Sequence, residues 1–272
     1  MRVCVTGGAG FIGSHLVDQL VLRGDEVVVL DDFSTGRHEN LNSNAMLIEG
    51  SITDAAAVQD AVAGCDLVYH LASRVSVEES LAKPDLYHAI TALGTKTVAE
   101  LAPCRVVLAS SCAVYGDQTV PIEEDAPCAP RSPYAQAKLD AEAFVDVSLR
   151  FFNVYGPRQR DDSPYSGVIA KFLATLDHSP PTIFGDGLQT RDFVYVSDVV
   201  NALLLAGDVE SGIFNIGTGI ETNLIELAGV LGCEEPQFES ARDGEVRRSC
   251  ANTERARRVL GFEASVQLDG LT

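Results

Sequence analysis

Three glycines near the N-terminus constrain this chain more than any other feature. Val3-Cys4-Val5 reads as a short apolar strand, and Thr6-Gly7-Gly8-Ala9-Gly10-Phe11-Ile12-Gly13 follows it. The stretch from Ser14 to Val21 then has the pattern of a helix. Gly7, Gly10 and Gly13 permit a tight turn, close approach of backbone to a pyrophosphate, and close helix–strand packing. The helix N-terminus adds N–H donors and a positive dipole end. A glycine-rich loop alone is a weak signal; here the strand precedes it and the helix follows it, as dinucleotide binding requires. The next strand, Glu26–Leu30, ends at Asp31, 18 residues after Gly13. A carboxylate there accepts hydrogen bonds from adenosine ribose hydroxyls and repels a 2′-phosphate, which favours NAD over NADP.

The remaining pattern alternates. Strands are predicted over Ala45–Gly50, Leu67–Ala72 and Arg105–Ala109, with helices from about Asp54 to Ala63 and Asp85 to Leu101. Such alternation predicts an α/β fold, a Rossmann-like doubly wound parallel sheet, with ligands at the carboxyl ends of the strands. His70 lies inside an apolar run, which points to a structural role rather than a catalytic one.

Composition narrows the function. The chain has 272 residues, 46% of them hydrophobic, and no apolar run approaches the roughly eighteen residues of a membrane span. It starts straight into a strand pattern, without the apolar core of a secretory leader, so a cytoplasmic location is expected. Seven scattered cysteines form no Cys-x-x-Cys pair and support neither a disulfide framework nor a metal site. The net charge of −19 argues against nucleic acid or an anionic membrane as partner.

Ser132-Pro133-Tyr134-Ala135-Gln136-Ala137-Lys138 places a tyrosine and a lysine four residues apart, behind a proline suited to a first helical turn. The two would share a helix face, and an ammonium beside a phenol favours the phenolate, a general base near neutrality. The same spacing also fits an ordinary solvated helix face.

Taken with the segments Thr6–His15, Tyr69–Ala72, Ser110–Gly116, Leu149–Pro157, Phe184–Phe193 and Phe214–Gly219, this motif resembles the extended short-chain dehydrogenases/reductases. The nearest group is the NAD-dependent epimerase/dehydratase family, and the similarity covers nearly the whole chain. The resemblance implies a NAD-binding Rossmann domain over residues 1–152 and a smaller nucleotide-sugar lobe over 153–272, with about 190–220 returning to the first domain. It implies 4-epimerisation of a UDP-hexose through a 4-keto intermediate, with Ser111, Tyr134 and Lys138 as the catalytic set. NAD contacts are implied for Gly7, Gly10, Phe11, Ile12, Gly13, Asp31, Asp32, Ser34, Thr35, Gly36, Ser51, Ile52, Leu71, Ala72, Ser73, Ser110 and Phe151, besides Tyr134 and Lys138. Lys138 is expected to lower the tyrosine pKa. Substrate contacts are implied for Ser111, Tyr134, Asn153, Val168, Phe184, Arg191, Arg242, Glu245 and Ser249. Arginine suits a diphosphate because its planar fork donates two bonds at once; for Arg191 an ion pair with Asp192 or Asp198 is the competing reading. Ser249 stands where the family limits the size of the sugar pocket, and its smallness predicts tolerance of an N-acetyl group. Dehydratases of the family carry an acidic pair after a threonine where this chain has Ser110-Ser111-Cys112, so elimination would lack its proton donor.

The chain also departs from the family pattern. Ser51 replaces an aspartate and Thr91 an asparagine. Only Ala102–Cys104 separate the helix ending at Leu101 from the strand at Arg105, and only Leu139–Ser148 separate Lys138 from the strand at Leu149. The resemblance implies a homodimer built on these two helices and a further helix beyond Thr272; the shortened helices argue against that dimer. Other readings are a different nucleotide-sugar epimerase or reductase, such as a UDP-glucuronate 4-epimerase, and a non-catalytic NAD or nucleotide-sugar binding protein.

Lys83, Lys96, Lys138 and Lys171 are the only lysines among 20 basic residues, against 39 acidic ones. We hypothesise adaptation to high salt, where ions screen self-repulsion. The expected outcome is loss of folded structure on dialysis to low salt; an unchanged melting temperature across salt concentrations would contradict it.

Overall fold

The computed structural model describes residues 1–160, 167–176, 178–233, 235–241 and 246–268. The strands in chain order begin with β1 (Arg2–Thr6), β2 (Glu26–Asp31), β3 (Met46–Glu49), β4 (Leu67–His70), β5 (Val106–Ser111) and β6 (Val147–Phe151). They continue with β7 (Asn153–Tyr155), β8 (Thr182–Phe184), β9 (Thr190–Arg191), β10 (Phe193–Tyr195), β11 (Gly212–Ile216), β12 (Thr222–Asn223) and β13 (Gln237–Glu239). The helices are α1 (Phe11–Arg23), α2 (Ala55–Val62), α3 (Val77–Ala82), α4 (Pro84–Tyr87), α5 (Gly94–Leu101), α6 (Pro133–Glu142), α7 (Val168–Leu176), α8 (Val196–Ala206), α9 (Leu224–Val230) and α10 (Glu254–Leu260).

Seven strands form one parallel sheet in the order β11-β6-β5-β4-β1-β2-β3. Period-two alternation sends successive side chains to opposite faces. Val3, Val5, Val27 and Val29 meet Leu16, Val17 and Leu20 of α1 and Val199 and Leu203 of α8 on one face. Cys4, Val28 and Leu30 meet Val58 and Val62 of α2 and Val98 of α5 on the other. Both faces are therefore covered, and every strand ends at the same edge.

Local chemistry sets the helix boundaries. Gly24 closes α1 in the left-handed conformation at φ 89°. Asp54 caps α2 by accepting from the N–H groups of Ala56 and Ala57. Ser132 caps α6, accepting from Ala135 N at 3.1 Å, with Pro133 in the first turn. The predicted single helix over Asp85–Leu101 is instead α4, a wide π-type turn at His88–Leu93, and α5. Thr95 Oγ1 donates to Thr91 O at 2.5 Å and Thr97 Oγ1 to Leu93 O at 3.1 Å, competing with the backbone ladder at this turn. α6 stops at Glu142 and β6 begins at Val147, two residues before the predicted strand start. At 8 and 10 residues, α5 and α6 are only ~12 and ~15 Å long.

The segments after β6 separate spatially. α8 packs on α1, and β11 extends the large sheet beside β6. β8 pairs with β13 and β9 with β12, and with α7 and α9 they enclose a second core of Ile169, Phe172, Ile183, Phe193 and Leu227. Two buried aspartates tie this region down. Asp192 accepts from the N–H groups of Thr218, Gly219 and Ala251 and from the Thr218 hydroxyl. Asp198 accepts from Ser265 and Val266.

His70 is buried between two hydroxyls, its Nδ1 2.7 Å from Thr6 Oγ1 and its Nε2 2.9 Å from Thr95 Oγ1. Thr95 spends its proton on Thr91 O, so it accepts from Nε2–H, while Thr6 donates to Nδ1. The neutral ring is fully satisfied, consistent with a structural role. Burial, with Lys138 adding, pulls its pKa from 6.5 down to about 3. The unfolded chain binds the extra proton between those values, so this group costs stability as pH falls from 6.5 towards 3. Melting temperatures followed downwards from pH 6.5 should fall less steeply in His70→Gln than in the wild type; equal slopes would contradict this assignment.

Candidate active site

The carboxyl ends of β1, β2, β4, β5 and β6 open onto one cavity of about 620 Å³. The glycine loop forms part of its wall. Gly7 has φ 73°, and a Cβ there would sit 2.7 Å from Ala72 N at the end of β4. A Cβ on Gly13 would sit 2.1 Å from Gly7 O. No other residue type fits either position, which leaves the α1 N-terminus open to an anionic ligand.

Asp31 ends β2 with Oδ2 accepting from Ala9 N and Oδ1 from Phe33 N, both at 2.9 Å. Burial raises its pKa despite these bonds. Each carboxylate oxygen keeps a lone pair for a hydroxyl partner. A Cβ on Gly36 would stand 2.8 Å from Asp31 Oδ1, so a larger residue would crowd the carboxylate. The glycine cradle, the helix terminus and a carboxylate one strand away fit a dinucleotide's pyrophosphate and ribose.

At the other end of the cavity, Ser111, Tyr134 and Lys138 converge from β5 and α6. Lys138 is 4% exposed and donates from Nζ to Ala109 O at 2.8 Å. Burial lowers its pKa from 10.5 to about 8, with Glu142 opposing. Burial pushes Tyr134 up to about 12, while a hydrogen bond from the Ser111 hydroxyl pulls it down and Cys112 pushes it up. Lys138, expected to lower the tyrosine pKa through its charge, makes its own hydrogen bond elsewhere. The lysine head is turned to the Ala109 carbonyl, and the group that pulls Tyr134 down is Ser111. The Tyr87 ring meets Tyr134 edge-on at 6.4 Å, and Tyr87 OH donates to Glu79 Oε2 at 3.0 Å.

The cavity lining brings together Gly10, Phe11, Ile12, Asp32, Ser34, Thr35, Ile52, Leu71, Ala72, Ser73, Ser110, Phe151, Asn153 and Val168 with the residues above. Gly36, Ser51, Phe184, Arg191 and Ser249 stand outside that lining. Gly36 lies behind Asp31. The Ser51 hydroxyl is bonded to that of Thr53 at 2.9 Å. Phe184 is a β8 residue held against β13. Ser249 is buried with Oγ 4.0 Å from Cys112 Sγ, next to Ser111, and Arg191 is close enough to act on the same thiol. Asp192 and Asp198, the ion-pair partners considered for Arg191, direct their carboxylates to backbone N–H groups instead. Arg242 and Glu245 lie outside the described residues.

The family of NAD-dependent epimerases/dehydratases matches residues 3–217. The chain belongs to the NAD-dependent epimerase/dehydratase family. It is 40% identical over 298 positions to UDP-glucose 4-epimerase of Mycolicibacterium smegmatis, covering 98% of this chain and 95% of that one. The alignment is longer than this chain's 272 residues, which places the missing lengths inside it. Among solved structures, UDP-glucose 4-epimerase of Thermotoga maritima, bound to UDP-glucose, superposes with a TM-score of 0.94 at 36% identity, covering 99% of this chain and 95% of that one. The UDP-N-acetylglucosamine 4-epimerase of Methanobrevibacter ruminantium, in complex with UDP-N-acetylmuramic acid, gives 0.91 at 32% identity, covering 97% and 93%. The cofactor of this family is NAD, which agrees with the glycine cradle and Asp31.

Several residues of this site were not singled out from sequence. Ser76, Glu79 and Tyr87 reach the cavity from the segment after β4, where no motif marks them. Glu142 had a signal, because it continues the four-residue spacing of Tyr134 and Lys138 by one more turn.

Proposed function

We propose that this protein is a NAD-dependent 4-epimerase of UDP-hexoses. The observation that carries the reading is the meeting of Ser111, Tyr134 and Lys138 with the glycine cradle in one cavity. Similarity to 4-epimerases over nearly the whole chain supports it. Bound NAD would accept a hydride from sugar C4 and return it to the opposite face. The glycine loop would hold its pyrophosphate, Asp31 its adenosine ribose and Lys138 its nicotinamide ribose. Tyr134 takes the proton of the 4-hydroxyl as the keto sugar forms and gives it back as the hydroxyl re-forms. Ser111 hydrogen-bonds the same oxygen and steadies the phenolate.

Elimination of water would need an acid beside the sugar. Cys112 holds the position after Ser111, and burial pushes its thiol up to about 11, which favours epimerisation over dehydration. Ser249 lies outside the cavity lining but beside Cys112, next to Ser111, where its small side chain would leave room at the sugar end. Its size supports acceptance of N-acetylated hexoses, in line with the similarity to a UDP-N-acetylglucosamine 4-epimerase.

The expected outcome is interconversion of UDP-glucose with UDP-galactose and of the N-acetylated pair, followed by product analysis in high salt. Tyr134→Phe should lower kcat at least ~100-fold while leaving bound NAD unchanged. Ser249→Tyr should remove turnover of the N-acetylated pair selectively. Tight NAD binding without turnover of any sugar nucleotide would favour a non-catalytic binding protein, and an unchanged preference in Ser249→Tyr would overturn the pocket assignment.

A further inference from the structure

Behind the cavity, Glu142 stands one helical turn beyond Lys138 on the same face of α6. Its carboxylate is 5% exposed and fully engaged. Arg150 of β6 donates to it twice, from Nε at 2.9 Å and from Nη2 at 2.6 Å. The Ser110 hydroxyl donates to it as well. Ser110 sits between Ala109, whose carbonyl receives the Lys138 ammonium, and Ser111, which bonds Tyr134. One buried carboxylate therefore touches the strand that supplies two of the contacts of the catalytic set and shares a helix with the other two members.

We propose that Glu142, held by Arg150 and Ser110, is the positioning residue that fixes Lys138 and Ser111 for proton transfer at Tyr134. It acts through them and does not itself line the cavity. This rests on the reading of Tyr134 as the acid–base group. The titratable groups around Lys138 are Tyr134 and Glu142 on its own helix face and His70 from β4, while Arg150 of β6 reaches Glu142. His70 is neutral, and Arg150 is a permanent cation already paired with Glu142. Glu142 is thus the group that opposes loss of the Lys138 proton. Without its negative charge the buried ammonium would shed its proton at lower pH, and the phenolate beside it would become harder to form.

A purely structural role would predict only loss of stability, because Glu142→Gln strands a buried guanidinium. The test therefore compares Glu142→Gln, the neutral double variant Glu142→Gln/Arg150→Met, the charge-preserving Arg150→Lys and the hydrogen-bond deletion Ser110→Ala. For each, kcat and KM for UDP-glucose are followed against pH, and the Tyr134 phenolate is titrated by ultraviolet absorbance as the difference from a Tyr134→Phe counterpart. In the wild type the alkaline limb of kcat should fall near the Lys138 value of about 8. Glu142→Gln and the double variant should move that limb down by about one pH unit, raise the phenolate pKa and leave KM unchanged. Arg150→Lys should keep the wild-type limb, and Ser110→Ala, which removes one donor to Glu142, should move it less than Glu142→Gln does. A folded double variant with the wild-type limb and phenolate titration overturns the proposal, as does a shifted limb in Arg150→Lys. Full activity in Tyr134→Phe would instead overturn the acid–base reading on which it rests.

Discussion

Lys138 is 4% exposed, and burial of an ammonium favours loss of its proton. The surroundings of α6 answer that cost. The Ala109 carbonyl receives Nζ, and Glu142 adds a negative charge one turn away. Glu142 in turn needs Arg150, and Arg150 lies over the Tyr115 ring and donates to Glu124 O. Tyr115 OH donates to Asn215 of β11, whose N–H donates to Glu124 Oε1. A chain of buried polar contacts thus runs from α6 through β5 and β6 to β11. Removing one member would leave a buried group unpaired, at about 1–3 kcal/mol or more for a charge.

The region after β6 rests on a comparable device. Arg191 lies next to Asp192, whose carboxylate gathers the turn at Thr218–Gly219 and the strand-like segment at Ala251. Asn153 N and Nδ2 both donate to the Asp192 carbonyl. A buried carboxylate with four donors fixes the backbone around the residues proposed to meet the diphosphate, so the sugar would be presented to Tyr134 by a rigid wall. Asp198 extends the same logic to the last described segment, at Ser265 and Val266.

Much of the fold was legible because parallel α/β architecture writes itself as apolar strands between helices. Gly7, Gly13 and Asp31 were readable because steric and charge demands leave few alternatives at those positions. Tyr134 and Lys138 were readable as a pair, but their electrostatics were not. Sequence spacing suggested that the ammonium tunes the phenol; the three-dimensional arrangement adds that Nζ bonds a carbonyl and that Ser111 bonds the phenol. The π-type turn at His88–Leu93 escaped notice because it depends on Thr91–Thr95 bonding and on packing near Ile52. Glu79 and Tyr87 escaped because they sit on the short helices α3 and α4 and bond each other, which leaves no periodic mark. The shortened α6 was visible as a residue count, and its ending at Glu142 makes the last helical residue also the one that faces Arg150.

Epimerisation as proposed requires that a hydride leave sugar C4 and return to it within one site. UDP-glucose deuterated at C4, incubated with the purified protein in ordinary water without added NAD, tests this most directly. The expected product is UDP-galactose that retains deuterium at C4. Product that has lost its deuterium to solvent would contradict it.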